Sequence, residues 1–409
     1  MQPLHVTQAI AGIGGRVREA DDDFVVEELP LYAPSGVGDH LHLVIEKRGR
    51  TTHDAVRDIA RALGIPHRDI GYAGQKDAHA RTVQTLSVEH VREEDARAAL
   101  ADVPGVRLLD VARHGNKLRL GHLAGNRFTI RVRDAADGAL GRARAALEIL
   151  AARGCPNRFG EQRFGRRGDN AAIGRALVLR DADLAVRLLV ATPLAGDEDA
   201  APSQRLAAEA RYDEALAALP RGRRAEAAVL RELARGRAPG RALRSLPDEL
   251  VRLYVSAYQS ALWNRLLDQR MPELGRLEAG DLAYLHDRGA VFRVEDAAAE
   301  QPRADRLEIS PSAPLYGTRT LLADGAPGAR ERELLAAEGV APEAFRVPGA
   351  GDLRGERRPL RVPVGDASAE PVPDAPRDVL VRFTLPRGSF ATALLAELQK
   401  GAAETDGAP

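Results

Sequence analysis

The 409-residue chain contains one cysteine, Cys155. No internal disulfide and no cysteine-built zinc or iron–sulfur site can therefore form, and Cys155 itself reads as inert packing rather than a nucleophile. Lysine is scarce as well: of 59 basic residues only Lys47, Lys76, Lys117 and Lys400 are lysines, and the other 55 are arginines. Aromatics make up 4 % of the chain. No run approaches the ~18 consecutive apolar residues of a membrane span, and MQPLHVTQAIAGIGGRV lacks a basic stretch followed by a long apolar one. The expectation is a cytosolic protein with no membrane association. The sequence also lacks a GxxxxGK[ST] phosphate loop, an HExxH pair and a GxSxG elbow, and GIGGRV at 12–17 has neither the spacing nor the preceding strand of a dinucleotide fingerprint. The ten histidines are scattered without ligand spacing, although His40 and His42 share one strand face. No cofactor and no metal are expected, and no obligate protein partner is evident.

What is present describes an ordinary folded protein, 44 % hydrophobic and 29 % charged, long enough for two domains. A formal net charge of zero argues, as an average, against a nucleic-acid partner, because phosphate contacts supply most non-specific affinity. The distribution says otherwise. Residues 113–133 carry Arg113, Lys117, Arg119, Arg127, Arg131 and Arg133 with no acidic residue; 153–180 carry seven arginines against Glu161 and Asp169, and 221–244 carry eight against Glu226 and Glu232. Guanidinium forks suit phosphate oxygens and stack on bases. An arginine-rich coding bias on solvated helix faces would produce the same runs.

The first 135 residues read as alternating strands and helices. FVVEEL at 24–29, LHLVIE at 41–46 and FTIRVRD at 128–134 alternate apolar and polar residues, as half-buried strands do. Between them, 51–64 spaces Val56, Ile59, Ala60 and Leu63 along one helical face and stops at Gly64, with Pro66 beyond. From 136 onward the texture becomes helical. Strand character returns near 290–296 and 315–322, and the chain ends as a strand over 379–385, a tight LPRGS turn and a helix FATALLAELQ. A Pro- and Gly-rich interval over 361–377 reads as a separator. The pattern suggests a sheet domain built from both ends of the chain, with the helical middle inserted.

Asp77 draws attention first. In IGYAGQKDAHARTVQTLSV at 70–88 it follows Gly74-Gln75-Lys76, in a loop between two strand segments. Such a loop exposes a side chain while the strands fix where it points; a turn aspartate that only satisfies backbone N–H groups would look the same. Lys76 could keep Asp77 charged or grip a phosphate, and the phosphate role is preferred because adjacent side chains in extended structure diverge. A second cluster, CPNRFGEQRFGRRGDN at 155–170, interleaves Phe159 and Phe164 with Arg158, Arg163 and Arg166. Aromatic stacking beside guanidinium groups is the chemistry RNA calls for. The alternative is a hinge whose aromatics pack inward and whose Arg163 pairs with Glu161.

Four separated motifs resemble the TruD family of tRNA pseudouridine synthases: GQKDAHARTVQ at 74–84, NRFGEQRFG at 157–165, AYQSALWNRLL at 257–267 and LPRGSFATALLAEL at 385–398. The resemblance implies an α+β fold. Its pseudouridine synthase core, a mixed and largely antiparallel sheet flanked by helices, would comprise 1–154 and 365–409. A mostly helical α/β TRUD domain would be inserted over 155–364. It implies Asp77 as the catalytic carboxylate, isomerisation of uridine 13 of tRNA, and contacts to the target nucleoside from Phe24, Asn126 and Phe390, with Phe128 supporting Asn126. Ala78 departs from the family, standing where a basic residue is common. A non-catalytic RNA-binding or chaperone protein on the same scaffold, and the same chemistry on another RNA, are the rival readings.

Overall fold

A computed structural model describes residues 4–400, and the chain divides into two compact units. Among the described residues, one comprises 5–155 together with 362–400; the other comprises 156–361, with Leu4 grouped to it. From residue 5 the chain therefore leaves the first unit once and returns to it once.

The first unit is built on a mixed sheet. Its strands are β1 (Phe24–Pro30), β2 (His40–Arg48), β3 (Gly71–Tyr72), β4 (Arg81–Glu89), β5 (Val106–His114), β6 (Leu123–Val132), and two late ones, Gly365–Val372 and Ala375–Pro386. The order runs Gly365–Val372, Ala375–Pro386, β6, β1, β4, β2, β5, and β3 pairs with β4 beside that path. Only β1 and β4 run parallel; every other pairing in this sheet is antiparallel.

Helix α1 (Thr52–Leu63) forms as its sequence spacing predicts. Thr51 caps it by accepting the Asp54 N–H, and Gly64 ends it in the left-handed conformation at φ 67°, where a residue without Cβ carries no steric penalty. Val56, Ile59 and Ala60 are buried against Leu41, Leu43, Ile45, Leu86 and Val88, which β2 and β4 present on one face. That core fixes the sheet from which the site residues project.

The interval over 361–377, expected as a separator, is instead mostly a hairpin arm of the sheet. Pro371 argued against a strand, but Gly365–Val372 is the outermost strand, and an edge tolerates a residue without N–H. The strand expected over 315–322 lies earlier, at Ile309–Leu315, and 316–322 is irregular. Pro311 and Pro314 hid it, yet antiparallel partners Leu282–Leu285 and Glu356–Pro359 on its two sides hold it in place.

The second unit is mainly helical, from Asn170–Val178 through the 23-residue helix Asp248–Arg270, together with a four-stranded sheet that includes Ile309–Leu315.

Candidate active site

Register decides which side chains share a face. Phe24 pairs with Ile130, Val26 with Phe128 and Glu28 with Asn126 across β1 and β6; Phe128 pairs with Phe383 and Asn126 with Leu385 on the next strand. Paired residues point to the same side, and side chains alternate along a strand. Phe24, Glu28, Asn126 and Phe128 therefore share one face of the sheet. Phe24 and Phe128 meet edge to face at 6.4 Å, and Phe128 stacks on Phe383 at 5.2 Å. Gly125 permits close strand approach beside Asn126, since a Cβ there would lie 2.3 Å from the Leu385 carbonyl oxygen.

β1 accompanies β4 only from Arg81 to Val83, and β3 takes over that edge at Leu86. Where the strands part, the Glu28 carboxylate accepts the Thr85 N–H at 3.3 Å and pairs with Lys76 Nζ at 3.0 Å. The loop from 73 to 80 crosses here. Its backbone is fastened from both sides. Thr52 Oγ1, at the start of α1, accepts the Lys76 N–H at 2.8 Å, and the buried ammonium of Lys47 donates to the carbonyls of Arg50 and Asp77, the latter at 2.8 Å.

This anchoring leaves the Asp77 side chain 51 % exposed while its backbone is held. One partner reaches it: Arg18 Nη2 donates to Asp77 Oδ2 at 3.0 Å, and the same guanidinium lies 4.2 Å from the centroid of the Phe24 ring. Arg18 itself adopts φ 65°, a backbone conformation that side-chain-bearing residues adopt at a cost. Asp77, Arg18, Phe24 and Phe128 thus form a continuous run of contacts. Beside it, Asn126 Oδ1 is buried and has no hydrogen-bond partner among the described residues, an acceptor available to a donor on a ligand.

Several expectations change at this point. Lys76 neither touches the Asp77 carboxylate nor presents itself to a phosphate; it is 5 % exposed and paired with Glu28. Phe24 offers no bare ring to a base, because it is buried with Arg18 over it. Phe390 is 44 % exposed at the start of the Ala391–Gln399 helix, four residues beyond Pro386, the partner of Gly125.

Arg158, Arg163 and Arg166 belong to the other unit. Arg158 pairs with Asp268, and Arg163 turns inward to the hydroxyls of Ser256 and Ser260, over the face of the buried Phe159. Arg166 is exposed and reaches Asp197 at 3.3 Å. Phe159 packs edge to face on Trp263 at 5.5 Å. In the 155–170 cluster the inward-packing alternative therefore describes Phe159 and Arg163, and local pairing of Arg163 with Glu161 is replaced by the serine contacts.

Arg18, Glu28 and Lys47 were not singled out in the sequence. Burial lowers Lys47 from its ordinary 10.5 to about 8, against the opposing pull of Asp77. Among the described residues no group of three or more His, Cys, Asp or Glu side chains is arranged to hold a metal ion, and no helix is long and apolar enough to cross a membrane.

The architecture is the α+β pseudouridine synthase fold: a solved structure assigned to tRNA pseudouridine synthase D of Methanosarcina mazei superimposes with a TM-score of 0.82 at 27 % identity, covering 97 % of this chain and 96 % of that one. Proteins named tRNA pseudouridine synthase D from Geobacter metallireducens and Syntrophotalea carbinolica are each 46 % identical to it, over 97 % of this chain and 98 % of theirs. The sequence model of the family tRNA pseudouridine synthase D (TruD) matches residues 4–398, and the chain belongs to that family.

Proposed function

We propose that this protein isomerises uridine 13 of tRNA to pseudouridine, without a cofactor and in the cytoplasm, with Asp77 as the reacting carboxylate. The reading assigns catalysis to the sheet unit, 1–154 with 365–409, and treats 155–364 as the inserted TRUD domain. The observation that carries it is the half-exposed Asp77 carboxylate, held through its backbone and paired, among the described residues, with Arg18 alone, beside the buried acceptor of Asn126.

The reaction breaks the bond from C1′ to N1, turns the uracil, and joins C1′ to C5. The C5 proton departs and N1 gains one, so atoms and redox state balance without an added reagent. Asp77 can assist by attacking C1′ or by removing the C2′ proton to give a glycal; both routes need the carboxylate charged and aimed, and the Arg18 pair aims it. The uracil must leave its stack, at a cost of a few kcal/mol. The reading assigns stacking on the uracil, which offsets that cost, to Phe390, whose ring is exposed. Asn126 Oδ1 is suited to accept from uracil N3–H or a ribose hydroxyl.

The test is tritium release from tRNA labelled at C5 of uridine, followed by mapping of the product. Release at position 13 by the wild type and none by Asp77→Asn, with tRNA binding retained, is the expected result. Turnover by pure Asp77→Asn would remove Asp77 from its role; product at another site would keep the chemistry and replace the substrate position. Binding without any release would favour a non-catalytic RNA-binding protein.

A further inference from the structure

At the other end of the same sheet lies a cavity of about 510 Å³ whose lining includes Tyr32, His114, His122, Asn116, Lys117 and Arg119. No acidic side chain lines it. Tyr32 follows β1, His114 ends β5, and 116–122 form the connection into β6. His114 pairs with His40, which pairs with Glu89 at the end of β4, whereas Lys47, which holds the Asp77 backbone, pairs with Thr82 near its start. Along β2 and β4 that is seven strand residues, roughly 20 Å at ~3.3 Å each, whereas on the β6 side the Gly121 N–H donates to the Ala73 carbonyl at 2.8 Å, four residues before Asp77, so the His122 wall lies nearer the reacting carboxylate.

Its walls are of two kinds. The rings of Tyr32 and His114 stack at 5.0 Å with 24° between their planes, and His122 meets Tyr32 edge-on at 6.2 Å, with its Nδ1 3.2 Å from the Tyr32 hydroxyl. A short stack of this kind can be extended by one more flat ring. The cations differ in what they already hold. Lys117 Nζ donates to the Arg68 carbonyl at 2.8 Å and so serves the wall. Arg119 is exposed, and its guanidinium makes no ion pair or hydrogen bond among the described residues. Aromatic rings next to an uncommitted guanidinium, with no carboxylate nearby, match a base attached to a phosphate and not an acyl chain or a cationic ligand.

We propose that this cavity is a second RNA subsite, which receives an unpaired nucleotide of the RNA whose uridine reacts at Asp77, the base stacked on Tyr32, whose ring is backed by His114 and His42, and the phosphate held by Arg119. The proposal rests on the functional reading above for the identity of the RNA. Because one wall of the cavity is tied to the loop that carries Asp77, the subsite selects RNAs that present an unpaired base within a few nucleotides of the target.

The test uses the full chain and an unmodified tRNA transcript, with Kd measured by fluorescence anisotropy and the single-turnover rate measured at saturating tRNA. Tyr32→Ala and Arg119→Glu are each expected to raise Kd about tenfold, Tyr32→Phe to leave it near wild type, and Arg119→Ala to make the dependence of log K on log salt shallower by about one. The rate at saturation stays within about twofold of wild type, because neither residue touches the reacting atoms. Arg119 is exposed, so its variants keep the test decisive if Tyr32→Ala fails to fold. An unchanged Kd in the Arg119 variants overturns the proposal and leaves the cavity to a different ligand, such as a protein segment; a fall in the saturating rate with Kd unchanged also overturns it. A wild type that binds tRNA but makes no pseudouridine would sink the functional reading while the Kd series still decided the subsite.

Discussion

Each unit contains an aspartate held by arginine, and the two differ in how many of their lone pairs are spoken for. Asp197, in the helical unit, is fully buried: Arg223, Arg166, Arg167 and the Gln204 amide share its two oxygens. Asp77, in the sheet unit, is half exposed and among the described residues has Arg18 alone. A buried carboxylate with every acceptor site filled is a structural tie, whereas a half-exposed one with a single partner keeps an oxygen for a substrate. Arginine density therefore does not separate the proposed catalytic region from the structural one. Unfilled acceptors do.

The comparison breaks first, and most severely, at Asp77. Asp77→Asn is expected to lower the single-turnover rate by about four orders of magnitude, the scale seen when a reacting group is removed, while the urea midpoint moves by no more than ~0.5 kcal/mol in equivalent stability, as for other exposed substitutions. Asp197→Ala should do the reverse. Removing it takes a shared buried acceptor from Arg167, Arg223 and Gln204, and because the two arginines keep Asp169 and Asp199 the cost falls at the low end of that for a broken buried pair, about 3 kcal/mol of unfolding free energy, whereas the folded fraction retains its rate. Burial pushes the Asp197 carboxyl up, but hydrogen bonds from Arg223 and Gln204 outweigh it and hold it below its ordinary 3.8. Its contribution is thus complete above that value and is lost as pH falls through the lower folded value. Acid titrations of stability in wild type and Asp197→Asn should differ there and nowhere else.

Arg18 sharpens the contrast. Its backbone sits at φ 65°, which glycine adopts without strain, so Arg18→Gly removes the Asp77 and Phe24 contacts and relieves the backbone at the same time. Stability is expected to stay within about 1 kcal/mol, because relief of strain and loss of a cation–π contact are of similar size. The rate should fall about a hundredfold through misplacement of the carboxylate. Loss of stability with an unchanged rate would make Arg18 a structural tie like Arg223.

How much of this was legible depended on whether the determining contacts are local. The period-two segments gave β1, β2 and β6, and Thr51, Val56, Ile59 and Gly64 gave α1, because alternation and capping are written in consecutive residues. Ile309–Leu315 and Gly365–Val372 were misread because proline marks a strand as improbable, and only their neighbours in the sheet override it. Asp77 could be located in a loop, but the partner of its carboxylate lies 59 residues away in sequence and the lysine beside it faces Glu28. One signal was available and unused. In a chain with 55 arginines, each of the four lysines is committed to the protein's own groups: Lys47 to Arg50 and Asp77, Lys76 to Glu28, Lys117 to Arg68, and Lys400 to Thr7 and Ile10. An ammonium is compact and donates in three directions, so it fits between converging carbonyls where a planar guanidinium fork does not.

That last point yields the smallest effect. Lys47 is buried with a pKa near 8 in the folded chain, against 10.5 for the same group in water. Between those values the unfolded chain binds more protons than the folded one, so this group's contribution to stability rises as pH increases through that window. Lys47→Met lacks the titration. Urea midpoints at pH 7.5 and 9.5 should show the wild type gaining on Lys47→Met by about 2 kcal/mol, with Lys47→Arg, which stays charged throughout, showing no such gain. If wild type and Lys47→Met keep the same separation at both pH values, the ammonium is not desolvated, and the Asp77 backbone is held by the loop's own turns and by Thr52 instead.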